Sequence, residues 1–214
     1  MLATRKLLGI TAIIALILPC MGQAYMSMGL GIKGGMNFAN ATIKDNNGKT
    51  VNTNTLNGYS IGGLVEFGVH NPWSLVLEPS YVKNGAEFKD FDGKVNLSYL
   101  QLPVLVKAKF GSPDLHLFIF AGPNFGLNLD ATGSAKFGAL STTWNAKDDI
   151  KNMDIAGDVG AGVSVKLMPN VHASIDARYT YGFTNIIESN SNSLDSWNSR
   201  DIKLLAGLTF HLPE

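Results

Sequence analysis

From Leu30 onward the chain alternates apolar with small or polar residues, and it does so in eight separate runs. Period two sends successive side chains to opposite faces of an extended strand, so each run predicts a β-strand with one apolar face. The first run sets Leu30, Ile32, Gly34, Met36 and Phe38 against Lys33 and Asn37. The second sets Tyr59, Ile61, Val65, Phe67 and Val69 against Ser60, Gly62 and Glu66, and the third Leu75, Leu77, Pro79 and Tyr81 against Val76, Glu78 and Ser80. The fourth places Leu100, Leu102, Val104, Val106, Ala108 and Phe110 opposite Gln101, Pro103, Leu105, Lys107 and Lys109. In the fifth, Leu117, Ile119, Ala121, Phe125 and Leu127 oppose His116, Phe118, Phe120 and Asn124. The sixth, seventh and eighth cover residues 154–167, 171–183 and 202–212.

Alternation alone also fits a soluble sandwich, and the connections separate the two. Tight links at His70–Trp73, Gly111–Asp114 and Met168–Asn170 take turns with long polar ones at Lys44–Asn57, Gly85–Lys94, Ala131–Asn152 and Glu188–Arg200. A transmembrane barrel has this rhythm, with short periplasmic turns and longer outside loops. Each run spans about 10 to 14 residues, near the roughly 9 to 11 of a tilted membrane strand and well above the usual globular strand. The expected fold is therefore all-β, an eight-stranded antiparallel up-and-down transmembrane β-barrel over residues 25–214. A soluble lipocalin-like binder, with the apolar face turned inward, is the alternative architecture.

With the apolar face toward lipid, the other face lines a lumen just wide enough for side chains. Lys33, Glu66, Glu78, Lys107, Asp158, Lys166, Asp176, Arg178 and Lys203 fall on it, and both signs of charge predict an ion network and a plugged polar core. Phe67, Trp73, Phe110 and Phe210 are expected to form an aromatic girdle at the turn end. Phe38, Tyr59, Tyr81, Phe125, Tyr181 and Phe183 would form the other girdle.

The start of the chain has its own grammar. Arg5 and Lys6 precede an apolar run from Leu7 to Leu18, followed by small residues at Gly22 and Ala24. That is the layout of a secretory signal peptide over residues 1–24, and the run is too short for a membrane helix. The competing reading is a lipoprotein acylated at Cys20, although Pro19 stands where that signal wants a small residue. Cys20 is the single cysteine, so a chain cleaved after Ala24 has no thiol for a disulfide or a zinc site. Lys+Arg and Asp+Glu number 17 each. That balance argues against a nucleic-acid partner, which needs a basic surplus on one face.

Four stretches together resemble one family. Gly31-Ile32-Lys33-Gly34-Gly35-Met36-Asn37-Phe38 resembles the first strand of the PorT-like outer-membrane β-barrel proteins, and Tyr99-Leu100-Gln101-Leu102-Pro103-Val104-Leu105 the fourth. Phe120-Ala121-Gly122-Pro123 resembles the fifth, and the stretch from Asp176 to Asn185 the seventh. The resemblance implies an eight-stranded barrel in the outer membrane of Bacteroidetes-type Gram-negative bacteria. It assigns no activity, because the named member associated with protein secretion does not fix the role of its relatives. Gly207, Phe210 and Leu212 match the spacing of the terminal signal read by barrel-assembly machinery, and Pro213-Glu214 departs from its usual aromatic end.

Candidate chemistry is sparse. His172 and Ser174 share one strand face, as in a lipid A deacylase where a His activates a Ser. Here they fall on the inward face at the turn end, away from the outer leaflet, so they read as lumen residues. His70, His116, His172 and His211 gather near the turn end in no known ligand spacing. No cofactor, no metal and no catalytic group is expected. The expected partners are outer-membrane lipids, the assembly machinery and an extracellular partner reached through the long loops, around a monomeric barrel.

Overall fold

The structure, a computed structural model, describes residues 27–45, 50–51, 53–88, 93–137, 140–145, 153–184 and 194–212. The leader expected over residues 1–24, with Cys20, lies outside them, as does the Pro213-Glu214 end. Eleven strands are present: β1 Met28–Asp45, β2 Thr50–Val51, β3 Thr53–His70, β4 Trp73–Leu77, β5 Ser80–Phe88, β6 Gly93–Gly111, β7 Leu115–Phe137, β8 Leu140–Asn145, β9 Met153–Met168, β10 Val171–Gly182 and β11 Leu194–His211.

They make eight staves. β4 and β5 together form the third, broken at Glu78 and Pro79, where Pro79 has no amide to give to a ladder. Its carbonyl still accepts from Gly63, and the Glu78 amide donates to Pro103. Each stave pairs antiparallel with its chain neighbour, and β11 pairs with β1 to close the ring. Among the described residues closure leaves none of the eight staves at an open edge of the ring, which is what a strand protein needs inside a bilayer.

The ring is staggered. Following paired residues once around, from Met28 through Phe67, Leu75, Val106, Ala121, Val159, Tyr179 and Ile202, leads back to β1 at Phe38, ten residues further on. A stagger of this size tilts eight strands by roughly 40° and leaves an interior that side chains can fill. All the residues on that path except Met28 belong to the apolar set read from the sequence or alternate in phase with it. Ile32, Ile61, Leu117, Val159, Ile175 and Ile202 are exposed on the outside of the barrel, as a lipid-facing band must be.

The turns follow from their residues. Asn170 adopts a positive φ of 67° in the Pro169-Asn170 link, a conformation that Asn tolerates better than most side chains. Gly111 sits at φ 119°, which suits glycine, before Ser112 caps the next turn by donating its amide to the Leu115 carbonyl. At the opposite end the structure departs from the sequence reading. The stretches expected as long polar loops are in large part paired strand, with β7 running 23 residues to Phe137 and β8 folding back against it. Ladder hydrogen bonds simply continue outward from the barrel wall there, and they need no apolar face to do so.

Candidate functional site

The lumen is where sequence-distant chemistry converges. Arg178 on β10 reaches Glu78 at 2.5 Å, Asp158 of β9 at 3.2 Å and Asp176 at 3.9 Å. Lys33 of β1 joins Glu78 at 2.7 Å and Asp176 at 2.9 Å. One buried cluster thus ties four staves across the barrel, and each carboxylate has a cation within ion-pair distance. Lys203 of β11 donates to Gln101 at 2.8 Å beside this cluster. A gap of only about 10 Å³ remains between Lys33, Glu78, Gln101, Arg178 and Lys203, room for about one water.

A second cluster lies nearer the turn end. Lys107 holds Glu66 at 2.9 Å, and Lys109 holds the other Glu66 oxygen. Lys109 belongs to this group although the expected network omitted it. Lys166 does not join either cluster, which corrects the sequence reading. Its ammonium sits 3.5 Å from Asp114, with side-chain exposures of 39% and 80%. At the last turn of β9 a lysine stem is long enough to leave the lumen and reach water.

Between the clusters is a feature the polar-core reading missed. Leu64, Val76, Leu105, Phe118 and Phe120 point inward and pack into an apolar layer. The two rings occupy space left by glycines of the neighbouring strand: a Cβ on Gly160 would collide with Phe120, and one on Gly162 with Phe118. Arg178 lies over the Phe120 ring at 4.8 Å and Lys107 over Phe118 at 4.4 Å. Each cation therefore closes a charge cluster on one side and an aromatic face on the other. The lumen is plugged by ions and by hydrocarbon together.

The floor carries three of the four histidines. The His116 and His172 rings are 5.8 Å apart and those of His172 and His211 4.8 Å, while His70 is exposed at the end of β3. Among the described residues no group of three or more His, Cys, Asp or Glu can hold a metal ion. The His172 Nε2 lies 3.3 Å from the Pro113 carbonyl, and its Nδ1 has no hydrogen-bond partner among the described residues.

Outside, Tyr59 and Phe67 stand eight residues apart on β3, as do Ile202 and Phe210 on β11. That separation corresponds to about 20 Å along the barrel axis once tilt is included, close to an outer-membrane hydrocarbon band. Tyr59 packs with Tyr81 at 6.2 Å and Tyr181 with Phe183 at 5.6 Å. Trp73, Phe110 and Phe210 are exposed at the turn end, where Phe67 is half-buried. Phe38 and Phe125 are half-buried at the hairpin end. At the end of β11, Phe210 and Leu212 face outward while Gly207 faces in, and the Leu212 amide donates to the Met28 carbonyl.

A family model and a solved structure agree with this architecture. Neisserial surface protein A is 16% identical, with a TM-score of 0.53, over 87% of this chain and 99% of that one. The attachment invasion locus protein Ail of Yersinia pestis is 18% identical, with a TM-score of 0.45, over 86% and 99%. The N-terminal β-barrel domain of Pseudomonas aeruginosa OprF is 12% identical, with a TM-score of 0.42, over 86% and 97%. No curated protein sequence matches. The family described as "Outer membrane protein beta-barrel domain" matches residues 22–188, which span seven of the eight staves. The chain belongs to the outer membrane protein beta-barrel domain family.

Proposed function

We propose that this protein is a non-enzymatic integral barrel of the PorT-like kind, closed to solutes, whose specific contacts are made by the hairpins at one end. The filled lumen carries this reading: the Arg178 cluster and the Phe118–Phe120 layer block the axis at successive levels. Against an acyl-transfer site, His172 and Ser174 face inward at the turn end, where lipid does not reach. In this reading residues 1–24 are a removed leader, Gly207, Phe210 and Leu212 are read by the assembly machinery, and the short turns lie in the periplasm. The eight charged lumen residues of the expected network other than Lys166 and the ten girdle aromatics serve structure, and the barrel works as a monomer.

Conductance and surface labelling test it together. Purified protein in planar bilayers should show no large, stable openings, whereas steady porin-sized steps would overturn the closed lumen. A tag between Asn46 and Asn47 should be labelled on intact cells and one between Pro113 and Asp114 should not. The reverse pattern would invert the orientation.

A further inference from the structure

Above the Arg178 cluster, toward the hairpins, the lumen changes character. Asp154 on β9 and Asp201 on β11 are buried and lie within electrostatic reach of each other. Among the described residues neither has a cation within ion-pair distance. Asp154 accepts from the Thr184 hydroxyl, and Asp201 from the Asn84 amide at 2.8 Å. Asn84 in turn accepts from Asn37 at 3.2 Å. Lys203 lies within electrostatic reach of Asp201 but gives its hydrogen bond to Gln101 below.

Around these carboxylates stand polar groups whose hydrogen-bonding capacity is not filled. Tyr99 is 4% exposed and Asn128 7%. They are cross-strand partners whose side chains approach each other, yet neither the Tyr99 hydroxyl nor the Asn128 amide makes a well-formed hydrogen bond. Tyr99 and Asp154 both overhang Gly126, each with an atom 3.6 Å from where its Cβ would be. Thr180, paired in register with Asp201, also leaves its hydroxyl unpartnered, as does the Asn37 carbonyl. Buried polar groups are rarely left unpaired, and a cluster of them marks a place for water, an ion or a ligand.

We propose that this cluster of polar groups binds the ammonium group of a small organic cation. Two carboxylates that, among the described residues, have only the Lys203 ammonium within electrostatic reach supply the charge, and their free lone pairs, the Tyr99 and Thr180 oxygens and the Asn128 and Asn37 carbonyls supply acceptors for three N–H bonds. The Tyr99 ring adds an aromatic wall that favours a cation. A divalent metal fits less well, because Asp154 and Asp201 are two carboxylates with no third acidic or histidine ligand converging on them.

The test is calorimetric titration of the full barrel, folded in zwitterionic detergent, with propylammonium chloride, propanol and calcium chloride in parallel. Propylammonium should bind saturably while propanol and calcium do not. Losing a charge-assisted bond should weaken propylammonium binding about tenfold or more in Asp154→Asn and in Asp201→Asn. Tyr99→Phe, which keeps the ring, should weaken it several-fold and serves as the deciding variant if the Asn variants fail to fold. The proposal is overturned by absence of saturable amine binding, by equal heats for propylammonium and propanol, by unchanged affinity in the variants that fold, or by calcium binding in preference to the amine.

Discussion

The two ion clusters of the lumen use the same residue types and are built to different plans. The Arg178 cluster draws on β1, β9, β10 and the β4–β5 break, and its side chains are almost fully withdrawn from water. The Glu66 cluster joins only β3 and β6, and Lys109 there is 27% exposed. A buried charge that loses its partner keeps its whole desolvation penalty, whereas one near water recovers hydration. The first cluster therefore makes the staves depend on one another across the barrel. The second trims a local contact near the floor. The Phe118–Phe120 layer touches both, Lys107 on one ring and Arg178 on the other.

Four single substitutions, two of them tested again with a second change, probe that difference, and all can be read from urea unfolding in detergent. Arg178→Gln should have the largest effect, about 3 to 5 kcal/mol, because it strands Asp158 in the interior and leaves Glu78 to Lys33 alone. Adding Asp176→Asn should cost less than the sum of the single losses, and strictly additive losses would remove the case for a coupled cluster. Gly160→Val comes next at about 1 to 3 kcal/mol, since its side chain would enter the Phe120 ring and press on the Ala177 carbonyl. Phe120→Leu in the same chain should restore part of that loss, and an unrelieved double variant would mean the ring is not the obstacle. Glu66→Gln should cost about 1 to 2 kcal/mol, because Lys107 and Lys109 are left facing each other but can turn toward water. Lys109→Gln should move stability by less than about 1 kcal/mol, as Lys107 still holds Glu66. A loss at Lys109 equal to that at Arg178 would erase the distinction between the clusters.

Which face each residue takes was readable from the sequence, because period two leaves only two choices and the bilayer rewards one of them. Glu78, Asp158, Asp176 and Arg178 were assigned inward on that basis alone. Which charges meet was not readable, since it depends on the ten-residue stagger of a closed ring. Glu78 and Arg178 are 100 residues apart in the chain and on staves that do not pair. Lys166 shows the limit at a strand end, where the correct face does not oblige a long side chain to remain in the lumen. Asp201 was missed for a different reason. The eighth run was begun at Ile202, although stepping back by two from Lys203 continues the inward row. Hydropathy likewise hid the paired extensions of the hairpins, because ladders outside the lipid band have no apolar face to show. Phe118 and Phe120 did fall on the inward row, but only the facing Gly160 and Gly162 reveal that two rings have room there.

The seam between β1 and β11 has a consequence for how the barrel comes into being. Its pairs join Gly29 to His211 and continue to Asp45 with Leu194, so the first strand made waits for the last before either has both neighbours. Until then two open edges face the bilayer or the periplasm, and neither can rest in lipid with its amides unmet. Insertion must therefore be nearly all-or-none, and slow for a chain of this length, because its decisive contacts are the most distant in sequence. The same seam brings the two ends of the barrel within one hydrogen bond, Leu212 to Met28 at 2.8 Å. A chain relinked there and reopened at a hairpin would meet the same closing problem at a different pair of strands.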